Sequence, residues 1–469
     1  LPRTVPVRRY GNLCCRLHKQ IRPLKSGTDL PALQTGRRLK SKREVFFIGQ
    51  IIIIGAGAAG LAAAYSAAQT LGGAAAKHKI ILLEKNARPA RKMMITGKGR
   101  CNLTNNCDTE ALIRNTVHNG KFLYSAFSAL SPQEVMELFE SWGVPLKTER
   151  GSRVFPVSDK AADIVDALVG AVKRSGARII QAAAAEIITE NGAVSGVLTE
   201  SGEKFPADAV ILTTGGASYP LTGSCGDGYR IARALGHRIE PPRPSLIPLE
   251  CHEGFCSRLA GLSLKNVTLS VYENGKKRPV FRELGELLFT HTGISGPLAL
   301  SASACIGECA PGKYRAEIDL KPGLSAEQLD SRILRDFSAA SNRDFSNSLD
   351  RLLPKSLIPV AVSLSGIPAS EKVNQIDRAS RERLCEVIKG LPLNITGTRP
   401  IEEAIITRGG VSVKEISPAR LSSRLVSGLY FAGEVIDADA LTGGFNLQIA
   451  FSTGFAAGKG AAERLIKEK

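Results

Sequence analysis

Gly55, Gly57 and Gly60 stand in G-x-G-x-x-G spacing, with four isoleucines before them and an alanine-rich stretch after. Each glycine meets a separate need of a chain that wraps a dinucleotide. Gly55 permits a tight turn, Gly57 lets main chain approach a pyrophosphate where a side chain would collide, and Gly60 lets a helix pack closely on the strand before it. The helix opening there aims unpaired N–H groups and its positive dipole end at the anion, so Ala58 and Ala59 join the glycines as backbone ligands. Glu84 closes the next apolar run, where a carboxylate can accept both hydroxyls of an adenosine ribose and repel a 2′-phosphate. Lys85 follows it. A glycine-rich turn without a ligand is the alternative, but strand before, helix after and acid at the second strand end argue for a site. NAD and FAD share this opening, so the turn alone leaves both open.

Other residues with chemical potential are fewer. Arg91, Lys92, Lys98 and Arg100 crowd the loop after Glu84, where a solvated basic surface competes with neutralisation of the pyrophosphate or of an anionic substrate. Cys101 is either a redox thiol or a small core residue, the commoner fate of a free cysteine. His291, in the turn-rich Phe289–Pro297 stretch, is a candidate acid, base or substrate contact, set against a loop histidine bonded to backbone. No nucleophile elbow, H-E-x-x-H or G-x-x-x-x-G-K-[ST] occurs. The ten cysteines form no C-x-x-C pair and no metal spacing with histidine, so free thiols in a reducing compartment and no metal site are expected.

The elements that must hold these groups read as follows. Ile51–Ile54 and Lys79–Leu83 are buried parallel strands flanking an alanine-rich helix from Leu61, together a βαβ unit. Ala87–Asn106 reads as loop. Ser131–Trp142 carries a capping box, with Ser131 at the N-cap, Pro132 at N1 and Glu134 at N3. Asp159–Arg174 is an amphipathic helix. Ile179–Ile188 and Val194–Thr199 are strands turning at Asn191-Gly192. Ala209–Leu212 is another strand. A composition shift at Pro241–Pro244 marks a domain boundary. Strands at Leu264–Tyr272, Arg278–Phe281 and Tyr314–Leu320 imply a small antiparallel sheet or barrel. Ser325–Lys389 is helical, Asn394–Val413 returns to strand, Leu429–Ala432 is apolar strand, and Phe445–Leu465 is a small-residue helix.

Charge is uneven. Of the formal +18, residues 1–49 supply +10, with twelve Lys or Arg against Asp29 and Glu44. An Arg-rich, acid-poor stretch without a sustained apolar core fits a mitochondrial or plastid transit segment, with a cytoplasmic protein bearing a basic tail as the alternative. No apolar run is long enough for a membrane helix.

Taken together, four segments resemble the aminoacetone-oxidase-like, BaiN-type flavoproteins of the two-dinucleotide-fold class. These are Gly55–Gly60 with Glu84; Arg91-Lys92 with Thr96–Asn105; Gly215–Tyr229; and Gly428–Asp437 with Thr442–Gln448. Glu286–Pro297 is a shorter match, and the likeness spans about 48–460. The resemblance implies FAD as cofactor. The implied architecture is α/β: a discontinuous Rossmann-like FAD-binding domain (45–244 and 414–469), an inserted β-rich, barrel-like domain (245–323 and 391–413) and a helical domain (324–390), after a basic disordered or transit-like extension (1–44). It also implies flavin contacts from Lys92, Gly99, Arg100, Asn102, Thr104, Thr214, Gly215, Gly433, Glu434, Asp437, Gly444, Phe445 and Asn446. The Phe445 helix would lend its N-terminus to the negative charge of a reduced flavin. Ala90 replaces a usual glycine, Ala440-Leu441 a Gly-Pro, Ile449 a common Trp, and Arg420–Ser423 departs as well, which touches substrate contacts more than FAD.

The expected protein is thus an FAD-dependent oxidoreductase acting by hydride transfer at flavin N5 on a small organic substrate, with NAD(P)H or oxygen as the partner redox agent. Its rivals are an NAD-only Rossmann dehydrogenase and a flavoprotein that binds RNA with little catalysis. The second rests on net charge and lacks an RNA-binding aromatic motif, so nucleic acid is the less expected partner.

Overall fold

In a computed structural model, residues 49–72 and 78–467 are described. The basic extension expected at 1–44 lies outside them. The elements that carry the argument are, in chain order, β1 (Gly49–Ile54), α1 (Ala58–Leu71), β2 (His78–Glu84), β3 (Thr116–His118), β4 (Arg178–Gln181) and β5 (Ala209–Leu212). Then come β6 (Ile239–Ser245), α2 (Gly296–Cys305), β7 (Ile406–Val411), β8 (Leu429–Phe431), β9 (Asp439–Ala440) and α3 (Phe445–Lys467).

A five-stranded sheet forms the dinucleotide body, in the order β8-β5-β1-β2-β4. All its pairings are parallel, with Ile51 opposite both Ile80 and Ala209. The isoleucines of β1 are covered on both faces, as a central parallel strand requires. The chain leaves this body after β5 and returns 216 residues later as β8, directly beside it. α1 and α3 then cross at backbone contact. A Cβ on Gly454 would lie 2.2 Å from Ala59 O, and one on Gly458 2.1 Å from Ala63 O. The run of alanines in α1 therefore serves packing: only small residues on both helices allow this approach.

Between β5 and β8 lies a closed six-stranded barrel, Leu249–Cys251, Gly293–Ser295, Phe281–Phe289, Ser263–Glu273, Tyr314–Asp319 and Leu391–Thr398 in spatial order. Its strands alternate buried and exposed residues, plainly so in Tyr314–Asp319. The strand expected at Arg278–Phe281 instead begins at Phe281 and runs to Phe289. The helices Ala326–Ser338, Ile358–Ser365 and Arg378–Lys389 put Leu329, Ile333, Leu384 and Ile388 into the same apolar cluster as barrel residues Leu269, Ile318 and Leu393. The helical segment thus shares the barrel's core.

The prolines at 241–244 lie within a strand. β6 pairs antiparallel with β7, and the register breaks between Glu240 and Arg243, where Pro241-Pro242 cannot donate ladder hydrogen bonds. This ribbon links the two bodies. The capping box at Ser131–Glu134 forms as its spacing predicts, and Asn191-Gly192 turns the expected hairpin with both residues at positive φ. Within the expected loop 87–106, Arg91–Ile95 forms a short helix. No helix among the described residues is long and apolar enough to cross a membrane.

Candidate functional site

β1 ends at Gly55, whose φ of +101° belongs to glycine and whose N–H reaches Leu83 O at 2.8 Å. A Cβ on Gly60 would meet Gly55 O at 1.9 Å, so this glycine is demanded by the protein's own packing. Gly57 differs: a Cβ built there meets nothing within 4 Å. It is the N-cap of α1 and no side chain caps the helix. The first turn of α1 holds no acidic residue, so its N–H groups face open space with a positive dipole end behind them. Ala58 and Ala59 are buried in that turn. This cradle suits a pyrophosphate, because an anion would occupy the space that the missing side chain leaves.

Glu84 is buried at the end of β2. Its carboxylate accepts from Ala56 N–H and Asn86 N–H, both at 2.9 Å, and from Asn86 Nδ2 at 2.8 Å. A carboxylate has about four acceptor positions, so capacity remains for a ribose hydroxyl. Lys85 turns away and pairs with Asp227 at 2.5 Å. Burial works against its charge, yet Asp227 outweighs burial and holds the ammonium above its ordinary range. Thr214, following β5, has a buried Oγ1 with no partner among the described residues. Gly215, at φ +77°, lets the chain pass Ser224 Oγ, which a Cβ would meet at 2.9 Å.

Gly433, at φ +76°, lets the end of β8 approach α1: its Cβ would sit 2.8 Å from Ala59 Cβ. Next to it a polar node closes. Lys92 Nζ donates to Glu434 Oε2 at 2.7 Å and to Ser218 Oγ at 2.8 Å. Glu434 Oε1 accepts from Ser218 Oγ at 2.9 Å and from Thr407 N–H at 2.8 Å. Thr407 Oγ1 in turn accepts from Ala217 N–H and Ser218 N–H. Lys92 and Glu434, expected as flavin contacts, thus spend charge on each other and on joining three distant segments.

A second cluster forms at the start of α3. Gly444 packs on Thr104, where a Cβ would meet Thr104 O at 2.3 Å. Asn102 accepts from Gly444 N–H at 3.0 Å. Thr104 Oγ1 donates to Gln448 at 2.6 Å in the interior, so this hydroxyl is structural rather than a flavin contact. Asn446 exchanges hydrogen bonds with Ala440 N–H and O, which shapes the loop before α3. Phe445 is buried. Asp437 accepts from Asn119 Nδ2 at 2.9 Å, and burial pushes its carboxyl above the ordinary range.

The structure places the other expected residues as follows. Arg100 pairs with Glu149 at 2.8 Å and Asp159 at 3.2 Å, and stacks 4.0 Å over Phe155. Gly99 beside it takes φ +82° in open surroundings. Cys101 is fully buried and its thiol is pushed up to about 12 by desolvation, which leaves it protonated and core-forming rather than redox-active. His291 sits exposed on the turn between two barrel strands, with no side-chain hydrogen bond among the described residues.

The residues missed by pattern reading are those joined only in space. His118 Nδ1 lies 2.5 Å from Asp439 Oδ1, and Asp439 Oδ2 accepts from Ser245 Oγ at 2.8 Å. The histidine and its carboxylate are 321 positions apart, and neither sits in a chemical motif. Thr407 was equally unmarked, and Ser218, though inside the Gly215–Tyr229 match, carried no assigned role.

A parallel sheet with a side-chain-free turn at one strand end, completed by a returning strand and helix, defines a Rossmann-type dinucleotide-binding protein, and the family this chain matches makes it an FAD-dependent oxidoreductase. Residues 49–460 match the family described as HI0933-like protein Rossmann domain, and the chain belongs to that family. It is 32% identical over 424 residues to the 3-dehydro-bile acid delta(4,6)-reductase of Clostridium scindens, covering 89% of this chain and 100% of that protein. It is 30% identical over 423 residues to the ribosomal RNA dihydrouridine synthase of Escherichia coli, covering 89% and 98%. Among solved structures, the 3-ketosteroid delta1-dehydrogenase of Sterolibacterium denitrificans aligns with a TM-score of 0.48 at 14% identity, covering 89% and 100%.

Proposed function

We propose that this protein is an FAD-dependent reductase of carbon–carbon double bonds conjugated to a carbonyl, recharged by NADH or NADPH. The carrying observation is what two full-length relatives share. One is named for a keto-steroid with double bonds at positions 4 and 6, the other for dihydrouridine. The substrates differ in kind, yet both reactions saturate a C=C joined to a C=O.

When bound, the flavin supplies two-electron, hydride chemistry at N5. The protein's share is binding and orientation. Gly55, Gly57, Ala58, Ala59 and Gly60 give main-chain approach and N–H groups to the pyrophosphate. Glu84 takes the ribose, and Thr214, whose buried hydroxyl lacks a protein partner, with Gly215 and Gly433 lines the path beyond. Gly444 and Phe445 open α3, whose N-terminal N–H groups stabilise negative charge on the reduced ring. The Lys92–Glu434 pair fixes the walls rather than touching the reacting atoms. A small conjugated ketone is the favoured substrate; uridine in RNA is the second reading, carried by the dihydrouridine synthase relative.

The test is anaerobic. Purified protein should be yellow and release FAD on denaturation. NADH or NADPH should bleach it, and a 4-ene-3-oxo steroid should restore the colour. Recovery with uridine-containing RNA but no conjugated ketone would favour the second reading. Folded protein that takes up no FAD from excess, or bleached protein that neither acceptor reoxidises, ends the proposal.

A further inference from the structure

We propose that His118, oriented by Asp439, is the proton donor for the double-bond reduction; the inference rests on the reductase reading above. His118 is the last residue of β3, which pairs with β9 through Asp439. Its Nδ1 is 2.5 Å from Asp439 Oδ1. Asp439 is completely buried, and its second oxygen is held by Ser245 Oγ at 2.8 Å. A carboxylate so placed keeps the proton on Nδ1 and turns the other nitrogen outward. The imidazole ring is 26% exposed, and Nε2 makes no hydrogen bond among the described residues. This is the arrangement of a general acid or base with its orienting group.

Position supports the role. β9 runs directly into Thr442–Gly444, the loop that opens α3 and that the proposed function sets against the flavin ring. Ser245 comes from the ribbon leading to the barrel, and Thr442 Oγ1 meets Ser301 Oγ of α2 at 3.1 Å. The dyad therefore lies at the seam between dinucleotide body and barrel, where small molecules are commonly held. Of the other described histidines, His237 has both nitrogens taken, by Glu415 and Ser423, and the exposed His291 has no carboxylate to orient it.

The step balances. The carbon remote from the carbonyl gains a hydride from the reduced flavin, and the electron pair of the double bond moves toward the carbonyl. The carbon beside the carbonyl then takes a proton from Nε2, forming a C–H bond as the N–H bond breaks. The imidazolium becomes neutral imidazole with Nδ1–H still on Asp439, and solvent returns a proton to Nε2. His118 is the catalytic residue and Asp439 its positioning residue.

The test uses the FAD-loaded full chain, reduced with dithionite and mixed with 2-cyclohexenone. His118→Gln should slow flavin reoxidation by about 100-fold or more, the usual contribution of a positioned acid, with the FAD dissociation constant unchanged. Imidazole 15N NMR should show neutral His118 protonated at Nδ1 in the parent and a mixture of tautomers in Asp439→Asn. Parent-rate reoxidation in His118→Gln, or a parent His118 with its proton on Nε2 and Nδ1 bare, overturns the assignment. Failure of the parent itself to be reoxidised by any conjugated enone sinks the reductase reading instead, and the tautomer comparison still decides whether Asp439 orients His118.

Discussion

The glycine turn at Gly55–Gly60 and the seam at His118–Asp439 build sites in opposite ways. The turn is six consecutive residues whose useful groups are main-chain amides, and its defining feature is the open space at Gly57. The seam is made of side chains brought across 321 positions, and its defining feature is a buried carboxylate already satisfied on both oxygens. Backbone recognition leaves a trace in local spacing, because it depends on which residues lack side chains. Side-chain constellations leave none, because any strand end can carry a histidine.

Within the turn, the contrast is sharpest between Gly57 and Gly60. Gly60→Val should destabilise the fold by at least ~3 kcal/mol, since an overpacked contact with backbone has nowhere to relax. Gly57→Val should leave the thermal unfolding of the FAD-free protein at its parent value while weakening FAD about 100-fold, a similar energy now withdrawn from binding. Unfolding curves and flavin titration of both variants measure this; FAD binding as tight as the parent's in Gly57→Val would break the comparison.

At the seam, Ser245→Ala removes the hydroxyl on a fully buried carboxylate oxygen and should cost ~1–3 kcal/mol in chemical denaturation. It should scarcely change FAD affinity, which sets it apart from the turn.

A third buried group calibrates both. Burial opposes the charged form of His237 and outweighs Glu415, so its pKa lies below the ordinary 6.5. The native state then binds fewer protons than the unfolded chain. This contribution to stability is full above 6.5 and is lost as pH falls through that value toward the folded pKa. Denaturation at about pH 7.5 and about pH 5.5 should show a smaller drop for His237→Gln than for the parent.

The smallest effect belongs to Ala90, held in the left-handed region at φ 56° and ψ 29°. Ala90→Gly should raise stability by ~0.5–1 kcal/mol, the strain relieved less the entropy glycine adds to the unfolded chain. A lower melting temperature than the parent's would contradict it. The same left-handed backbone is one that glycine adopts without strain, and nothing in the structure explains why alanine stands at this position.

Much of the architecture was legible. The isoleucines of β1, the capping box at Ser131 and the Asn191-Gly192 hairpin are local patterns, and local geometry decides them. Less legible was the ribbon through Pro241–Pro244, because proline argues against a strand until a bulge at an edge accommodates it. The site was read unevenly for the same reason. Gly57 and Glu84 lie where their spacing puts them. Arg100, Thr104 and Asn446 were expected beside the flavin, but their polar groups have nearer protein partners: Glu149, Gln448 and Ala440.

What the order of residues determined was the chain's capacity for a dinucleotide: a buried strand, a turn without side chains, a helix start and an acid, all within thirty-six positions. Tertiary structure alone decided which side chains remain available. A polar group serves a ligand only if folding has not already supplied its partner, and that partner can lie six residues away, as Ala440 does from Asn446, or 344, as Gln448 does from Thr104.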